Sequence, residues 1–236
     1  MKKRIWELDA FRGLCILGMV LVHLGYDLVE LYGILQWTYP PIFSFLKKWG
    51  GVLFLLLSGT CATLGSRHLR RGLVVLGCAV LVTAVTGGMI LLGFHPSILI
   101  SFGVLHCLGL CMLLWEPLRR LSTPVLALIG LVLVFLGLYF RTVTVACPFL
   151  FPLGLVHPDF FSSDYFPLLP NLGFFLLGAC LGRILYKDKT TRFPRVDPST
   201  PVVAFLSACG KASLPIYLLH QPILAGVCYL LTLMIR

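Results

Sequence analysis

Seven times along the chain a stretch long enough to cross a bilayer recurs, bounded by charged, polar or proline-containing breaks, and this recurrence restricts the fold more than any other feature. A hydrocarbon core of about 30 Å needs roughly 20 apolar residues in a helix. The stretches lie at about 10–29, 43–66, 70–92, 97–115, 122–140, 168–186 and 213–234. Every backbone N–H and C=O in lipid must be satisfied within the protein, so such stretches are read as helices. Composition agrees. The chain is 58% hydrophobic and 12% charged, with a mean hydropathy of +0.97, far outside the range of a soluble domain of 236 residues. The expected fold is therefore all-α: a polytopic transmembrane helical bundle, residues 1–236 forming one integral-membrane domain.

The formal charge of +10 suggests nucleic acid at first sight, but the basic residues sit in clusters between apolar spans rather than in a continuous stripe. No nucleic-acid partner is expected. With the N-terminus in the cytoplasm, the inner segments carry Lys2, Lys3, Arg4, then Arg67, Arg70, Arg71, then Arg119, Arg120, and finally the cluster from Arg183 to Lys211. The outer segments carry only Lys47, Lys48, Arg141 and Arg236. This is the asymmetry of the positive-inside rule, and it agrees with an odd number of spans. The basic start lacks a small-residue cleavage site, so the first apolar run is expected to be a retained helix.

Of nine cysteines, Cys15, Cys61, Cys78, Cys107, Cys111, Cys180 and Cys228 fall within apolar runs and read as small hydrophobes. The outer connection from Arg141 to about Phe166 is rich in proline and aromatics, and is expected to fold over the bundle as a lid or interfacial turn. The inner connection from Lys187 to Pro201 is basic and proline-broken, as a mobile loop would be; 202–209 is a short apolar stretch suited to the interface. Gly50, Gly51 and Gly59 read as close-packing positions, and Lys47 and Lys48 as headgroup anchors.

Ionisable residues inside a span are costly, about 2.5–3.5 kcal/mol each on insertion scales, and point to function by default. The first span, ELDAFRGLCILGMVLVHLGYDL, holds Arg12, His23 and Asp27 on nearly one face: His23 follows Arg12 by eleven residues and Asp27 follows His23 by four. Taken singly, Asp9 reads as a helix cap, Arg12 as a side chain reaching the headgroups, and Asp27 as a group near the outer surface. An imidazole held by a carboxylate one turn away is instead a general-base arrangement. His106 and His220 also lie within spans. Ser213, Tyr217, His220 and Gln221 share a face of the last one at i, i+4, i+7 and i+8, and together with His23 and His106 they suggest a buried polar chamber. His68, His95 and His157 lie at span ends or in loops and read as solvated, with His157 a possible lid residue.

Several motifs carry a family resemblance across most of the chain: RIWELDAFRGLCILGMVLVH at the start, FLLLSGTCATLG, FGVLHCLGL and FPLLPNLGFFLLGACLGR between, and GKASLPIYLLHQPIL at the end. The sequence resembles bacterial membrane proteins related to the catalytic domain of heparan-alpha-glucosaminide N-acetyltransferase, within the wider transmembrane acyltransferase superfamily. The resemblance implies transfer of an acetyl or other acyl group from cytoplasmic acyl-CoA to a hydroxyl or amine of an extracytoplasmic acceptor, glycan or lipid-linked. It implies no metal and a multi-pass place in the bacterial inner membrane. In that superfamily an Arg and a His eleven residues apart on the first span go with activity, and Arg12 and His23 match.

On this reading His23, Asp27 and His220 are catalytic, with Asp27 orienting His23. Arg12, Arg67, Arg70, Arg71 and Lys211 bind the phosphates of acetyl-CoA, and His106, Ser213, Tyr217 and Gln221 contact substrate, with His220, Tyr217 or Ser213 stabilising the oxyanion. An acetyl-histidine intermediate stands beside direct transfer. Membrane lipids and further copies of the chain are the other expected partners. Two rivals use the same residues: a proton-coupled transporter or flippase, and a haem protein using two of His23, His106 and His220 as axial ligands.

Overall fold

The structure, a computed structural model, describes residues 4–235. Lys2, Lys3 and Arg236 of the charge argument lie outside the described residues. Eight α-helices follow one another: α1 (Trp6–Tyr26), α2 (Pro41–Leu64), α3 (His68–Leu91), α4 (Val104–Leu118), α5 (Thr123–Phe140), α6 (Leu168–Leu185), α7 (Pro201–Lys211) and α8 (Ser213–Ile235). Strand-like pairing among the described residues is limited to the isolated bridges Phe102–Tyr165 and Thr144–Val156. The chain is a multi-pass membrane protein: among the described residues, six helical segments are long and apolar enough to cross a bilayer.

The fourth expected span is shorter than its hydropathy suggested. Pro96–Ile98 forms a 3₁₀ turn, and the chain stays extended or bent until Gly103, so α4 keeps 15 residues, or about 22 Å. The first span is longer than expected. Helix starts at Trp6, and after Tyr26 the chain passes into a π-helical turn, Asp27–Leu31. Asp9 is accordingly not a cap; it lies inside the first turn, paired with Arg12 at 3.1 Å and Arg4 at 3.8 Å.

Two compact units emerge: 1–54 with 190–236, and 55–189. In the first, α1 packs against α7 and α8. A Cβ on Gly13 would run into the Leu206 carbonyl oxygen, and one on Gly210 into that of Asp9, so the α1 and α7 backbones touch. Lipid gives helices no hydrophobic drive to associate, and small residues supply the contact instead. The stretch expected at the interface, 202–209, is thus part of a helix packed on α1. The basic connection is also anchored here: the Thr191 hydroxyl and the Arg192 N–H donate to the Glu7 carboxylate at 2.9 and 2.7 Å, and Trp6 packs on Phe193.

The second unit pairs α5 with α6 and α3 with α4, with the end of α2 against α6. Gly59 meets the Phe175 carbonyl and Gly178 the Leu56 carbonyl, the same backbone contact as in the first unit. The 141–166 connection folds onto the segment ahead of α4: Ser163 N–H donates to Leu99 (2.7 Å), Phe166 N–H to Phe102 (2.9 Å), and the Asp164 carboxylate accepts from Val104 N–H at the α4 N-terminus (3.1 Å). Tyr165 donates to the Phe151 carbonyl at 2.6 Å. Burial pushes its hydroxyl up to about 12, against the pull of Arg141, so it stays a donor. At one end of this unit α3 begins where α4 finishes, and Arg183 of α6 donates to the carbonyls of Arg119 and Leu121, both at 2.7 Å. Arg67, Arg70, Arg71, Arg119, Arg120 and Arg183 gather there. The nine cysteines are all free, and Cys107, Cys111, Cys180 and Cys228 are buried, as small hydrophobes would be.

Candidate active site

In the first unit four polar side chains meet where α1 passes into its π-helical turn and α8 packs against it. His23 and His220 stand edge to face, ring centroids 4.8 Å apart at 70°. Gln221, the next residue on α8, places its Nε2 at 3.0 Å from both carboxylate oxygens of Asp27, which is fully buried. Tyr32, just past the π turn, donates its hydroxyl to the Ala225 carbonyl at 3.1 Å and holds the two elements together. π-helical turns are frequent at functional positions because the extra residue re-aims the side chains around it.

The hydrogen bonds fix the tautomers. His23 Nδ1 lies 3.0 Å from the Met19 carbonyl, and His220 Nδ1 contacts the Tyr217 carbonyl. A carbonyl oxygen only accepts, so in each ring Nδ1 carries the hydrogen and the neutral imidazole presents a bare Nε2 lone pair. His220 Nε2 and Gln221 Oε1 are buried and have no hydrogen-bond partner. With Nδ1 as the donor of its ring, both are acceptors, so the two unmet atoms of this cluster lack donors.

This geometry changes two roles expected from sequence. His23 is oriented by its own helix, through Met19, and Asp27 holds Gln221 instead. One turn of α-helix brings Asp27 near His23, but the π turn sets the carboxylate toward α8. His220, with no hydrogen on Nε2, is suited to base or nucleophile rather than oxyanion donor. The imidazoles also touch too closely to sandwich a macrocycle, so the haem reading finds no support in this pair.

Of the other α8 residues, Tyr217 packs on His220, centroids 5.5 Å apart, and Ser213 opens the helix two turns before. Arg12 lies three turns from His23 along α1, about 16 Å at 1.5 Å per residue. Arg12 and Lys211 adjoin Gly13 and Gly210, the residues of the α1–α7 contact, so the two cations flank one crossing.

Arg67, Arg70, Arg71 and His106 belong to the second unit. The three arginines are exposed around the α3 N-terminus, while His68 between them, expected to be solvated, is 5% exposed. His106 is buried and fully engaged. Its Nδ1 accepts from Gly103 N–H at 3.2 Å, and its Nε2 faces Thr83 Oγ1 at 3.4 Å, whose hydroxyl donates to the Ile100 carbonyl. This histidine caps α4. His95 is exposed as expected and accepts from Ser97 N–H, and His157 pairs with Asp159.

Sequence reasoning missed Glu7 as the anchor of 191–193, Met19 as the group that orients His23, and the pairing of Asp27 with Gln221. Met19 stands four residues before His23 on the same helix, so that contact follows the helical period, whereas the partners of Glu7 and Asp27 are selected by the fold. No group of three or more His, Cys, Asp or Glu side chains suited to a metal occurs among the described residues.

The sequence model of the family described as "Heparan-alpha-glucosaminide N-acetyltransferase, catalytic" matches residues 4–222, a stretch that includes His23, Asp27, His220 and Gln221. No curated protein and no solved structure matches the chain.

Proposed function

The chain belongs to the heparan-alpha-glucosaminide N-acetyltransferase catalytic family, a family of membrane acetyltransferases, and from that premise we propose that it transfers an acetyl group from cytoplasmic acetyl-CoA, or another acyl-CoA, to a hydroxyl or amine of an extracytoplasmic glycan or lipid-linked acceptor. The observation that carries this reading is the His23–His220 pair: two imidazoles in contact within membrane-spanning helices, each with Nδ1 held by a main-chain carbonyl, which leaves Nε2 as the nitrogen to take up a proton.

His220 Nε2 takes the proton of the acceptor nucleophile as it attacks the thioester carbonyl, the C–S bond breaks, and the thiol leaves with a proton. General-base assistance of this kind is worth about 10² to 10⁴ in rate. The same lone pair can first take the acetyl group and pass it on, and either route needs the unprotonated nitrogen. The phosphates of the donor bind Arg12 and Lys211, whose distance from the imidazoles suits a pantetheine arm lying along α1. Arg67, Arg70 and Arg71 are a second candidate phosphate surface. The arginine-rich end of the second unit supports a cytoplasmic N-terminus, since α1 and α2 return the chain to the starting side before Arg67. The expected setting is the bacterial inner membrane.

Thermal melting of the detergent-solubilised protein against acetyl-CoA, with free CoA, ADP and His220→Ala as comparisons, tests this. Saturable stabilisation selective for CoA compounds is expected, about 2.7 kcal/mol at a hundredfold excess over Kd. No shift at millimolar acetyl-CoA in a folded protein returns the reading to a proton-coupled transporter.

A further inference from the structure

The pairing of Asp27 with Gln221 carries a consequence for the acceptor. Asp27 is fully buried within a membrane-spanning helix, and the hydrogen bonds its carboxylate accepts from a side chain come from Gln221 Nε2, 3.0 Å from each oxygen. An amide whose nitrogen is held by both oxygens of a carboxylate has lost its freedom to flip. Its oxygen must then face the other way, and here Gln221 Oε1 is buried and faces no donor. Leaving a buried acceptor unmet is costly, so the arrangement favours a ligand that brings a hydrogen. Beside it, His220 Nε2 is a second buried and unmet acceptor.

We propose that Asp27 is a positioning residue that acts through Gln221: it locks the carboxamide so that Oε1 accepts a hydrogen bond from one N–H of an attacking amine and aims that nucleophile while His220 Nε2 removes its other proton. The inference rests on the acetyltransferase reading and adds to it the group that orients the acceptor.

Two alternatives make different predictions. If Asp27 is needed for its charge, as a counter-ion for a protonated His23, then the negative charge must stay on α1. If the pair is only a staple between α1 and α8, its loss lowers stability without changing turnover per folded molecule. Charge reversal across the pair separates the three. In the Gln221→Glu protein two carboxylates face each other and the clamp is broken. In the double variant Asp27→Asn with Gln221→Glu, the amide sits on α1 and the carboxylate on α8, and the clamp is rebuilt in the opposite sense. Asp27→Asn alone keeps an acceptor oxygen for Gln221 Nε2 and is the gentlest of the three.

The assay is release of the CoA thiol from acetyl-CoA with hydroxylamine as nucleophile, corrected for the uncatalysed reaction and for the folded fraction from thermal melts. Positioning predicts a kcat loss of about tenfold or less for Asp27→Asn, about a hundredfold or more for Gln221→Glu, and recovery of at least tenfold in the double variant over Gln221→Glu, with little change in KM for acetyl-CoA. A double variant no better than Gln221→Glu, or an Asp27→Asn protein as impaired as Gln221→Glu, overturns the proposal in favour of the counter-ion. Reduced melting temperature with undiminished kcat overturns it in favour of the staple. A wild-type protein that is folded and releases no thiol removes the acetyltransferase reading itself, and the proposal with it. That outcome is distinct from the others because it precedes any comparison of variants.

Discussion

In the unit of residues 55–189 the Thr60 hydroxyl lies between the carbonyls of Leu56 (3.0 Å) and Gly178 (2.9 Å), Asn171 donates to Pro167 (2.8 Å), and His106 engages both of its nitrogens. In the unit of 1–54 and 190–236, Asp27 is fully buried, and the buried atoms Gln221 Oε1 and His220 Nε2 are left unmet. The first arrangement is how a membrane protein makes polar groups harmless: each finds a main-chain partner close by. The second tolerates a deficit, and the deficit is all of one kind, acceptors without donors. One group blurs the contrast. Trp115 Nε1 in the larger unit is also unmet, although its ring receives the Arg183 guanidinium at 5.5 Å. A lone indole N–H is an isolated defect, whereas the two unmet acceptors belong to consecutive residues of α8, one of them the partner of a buried carboxylate.

The comparison breaks most readily at His220. Replacement by Gln is expected to lower acetyl transfer by about 10² to 10⁴ with only a small fall in thermal stability, because the Nδ1 bond to the Tyr217 carbonyl and the ring contacts are lost while Nε2 has no partner to lose. If melting temperature fell steeply along with turnover, His220 would be a structural histidine like His106, and the two units would not differ in kind.

A second test strikes the packing of the larger unit. Gly59→Val places two methyl groups where the Phe175 carbonyl already stands, and is expected to cost about 3 kcal/mol or more of stability while the remaining folded protein turns over normally. Thermal melts and kcat per folded molecule check it; impaired turnover in the folded fraction would mean that this unit takes part in catalysis directly.

The smallest expected effect sharpens the contrast. Thr60→Val removes a hydroxyl that serves only the helix backbones beside it, so stability should fall by about 0.5–1.5 kcal/mol and transfer should not change. A loss of transfer there would show that the larger unit too holds polar groups for the reaction.

Much of this was legible before any coordinate was known. The apolar stretches and their breaks pointed to an all-helical membrane fold, and spacing put His23 with Asp27 on one face of the first span and His220 with Gln221 on one face of the last, because side-chain direction along a helix follows from sequence spacing alone. Family membership followed from motifs at both ends of the chain. Pairing was not legible. Asp27 stands four residues from His23 and looks like its partner; a π-helical turn and the approach of α8 hand the carboxylate to Gln221. His106 looked like a chamber residue because it lies in an apolar span, and only the fold shows it capping its own helix through Gly103. Glu7 gave no sign that it would hold Thr191 and Arg192. Spacing determines which residues share a face, since that is a property of one helix. Which face meets which, and therefore which acceptor finds a donor, depends on contacts between segments some 200 residues apart in the chain, and those are decided by helix packing alone.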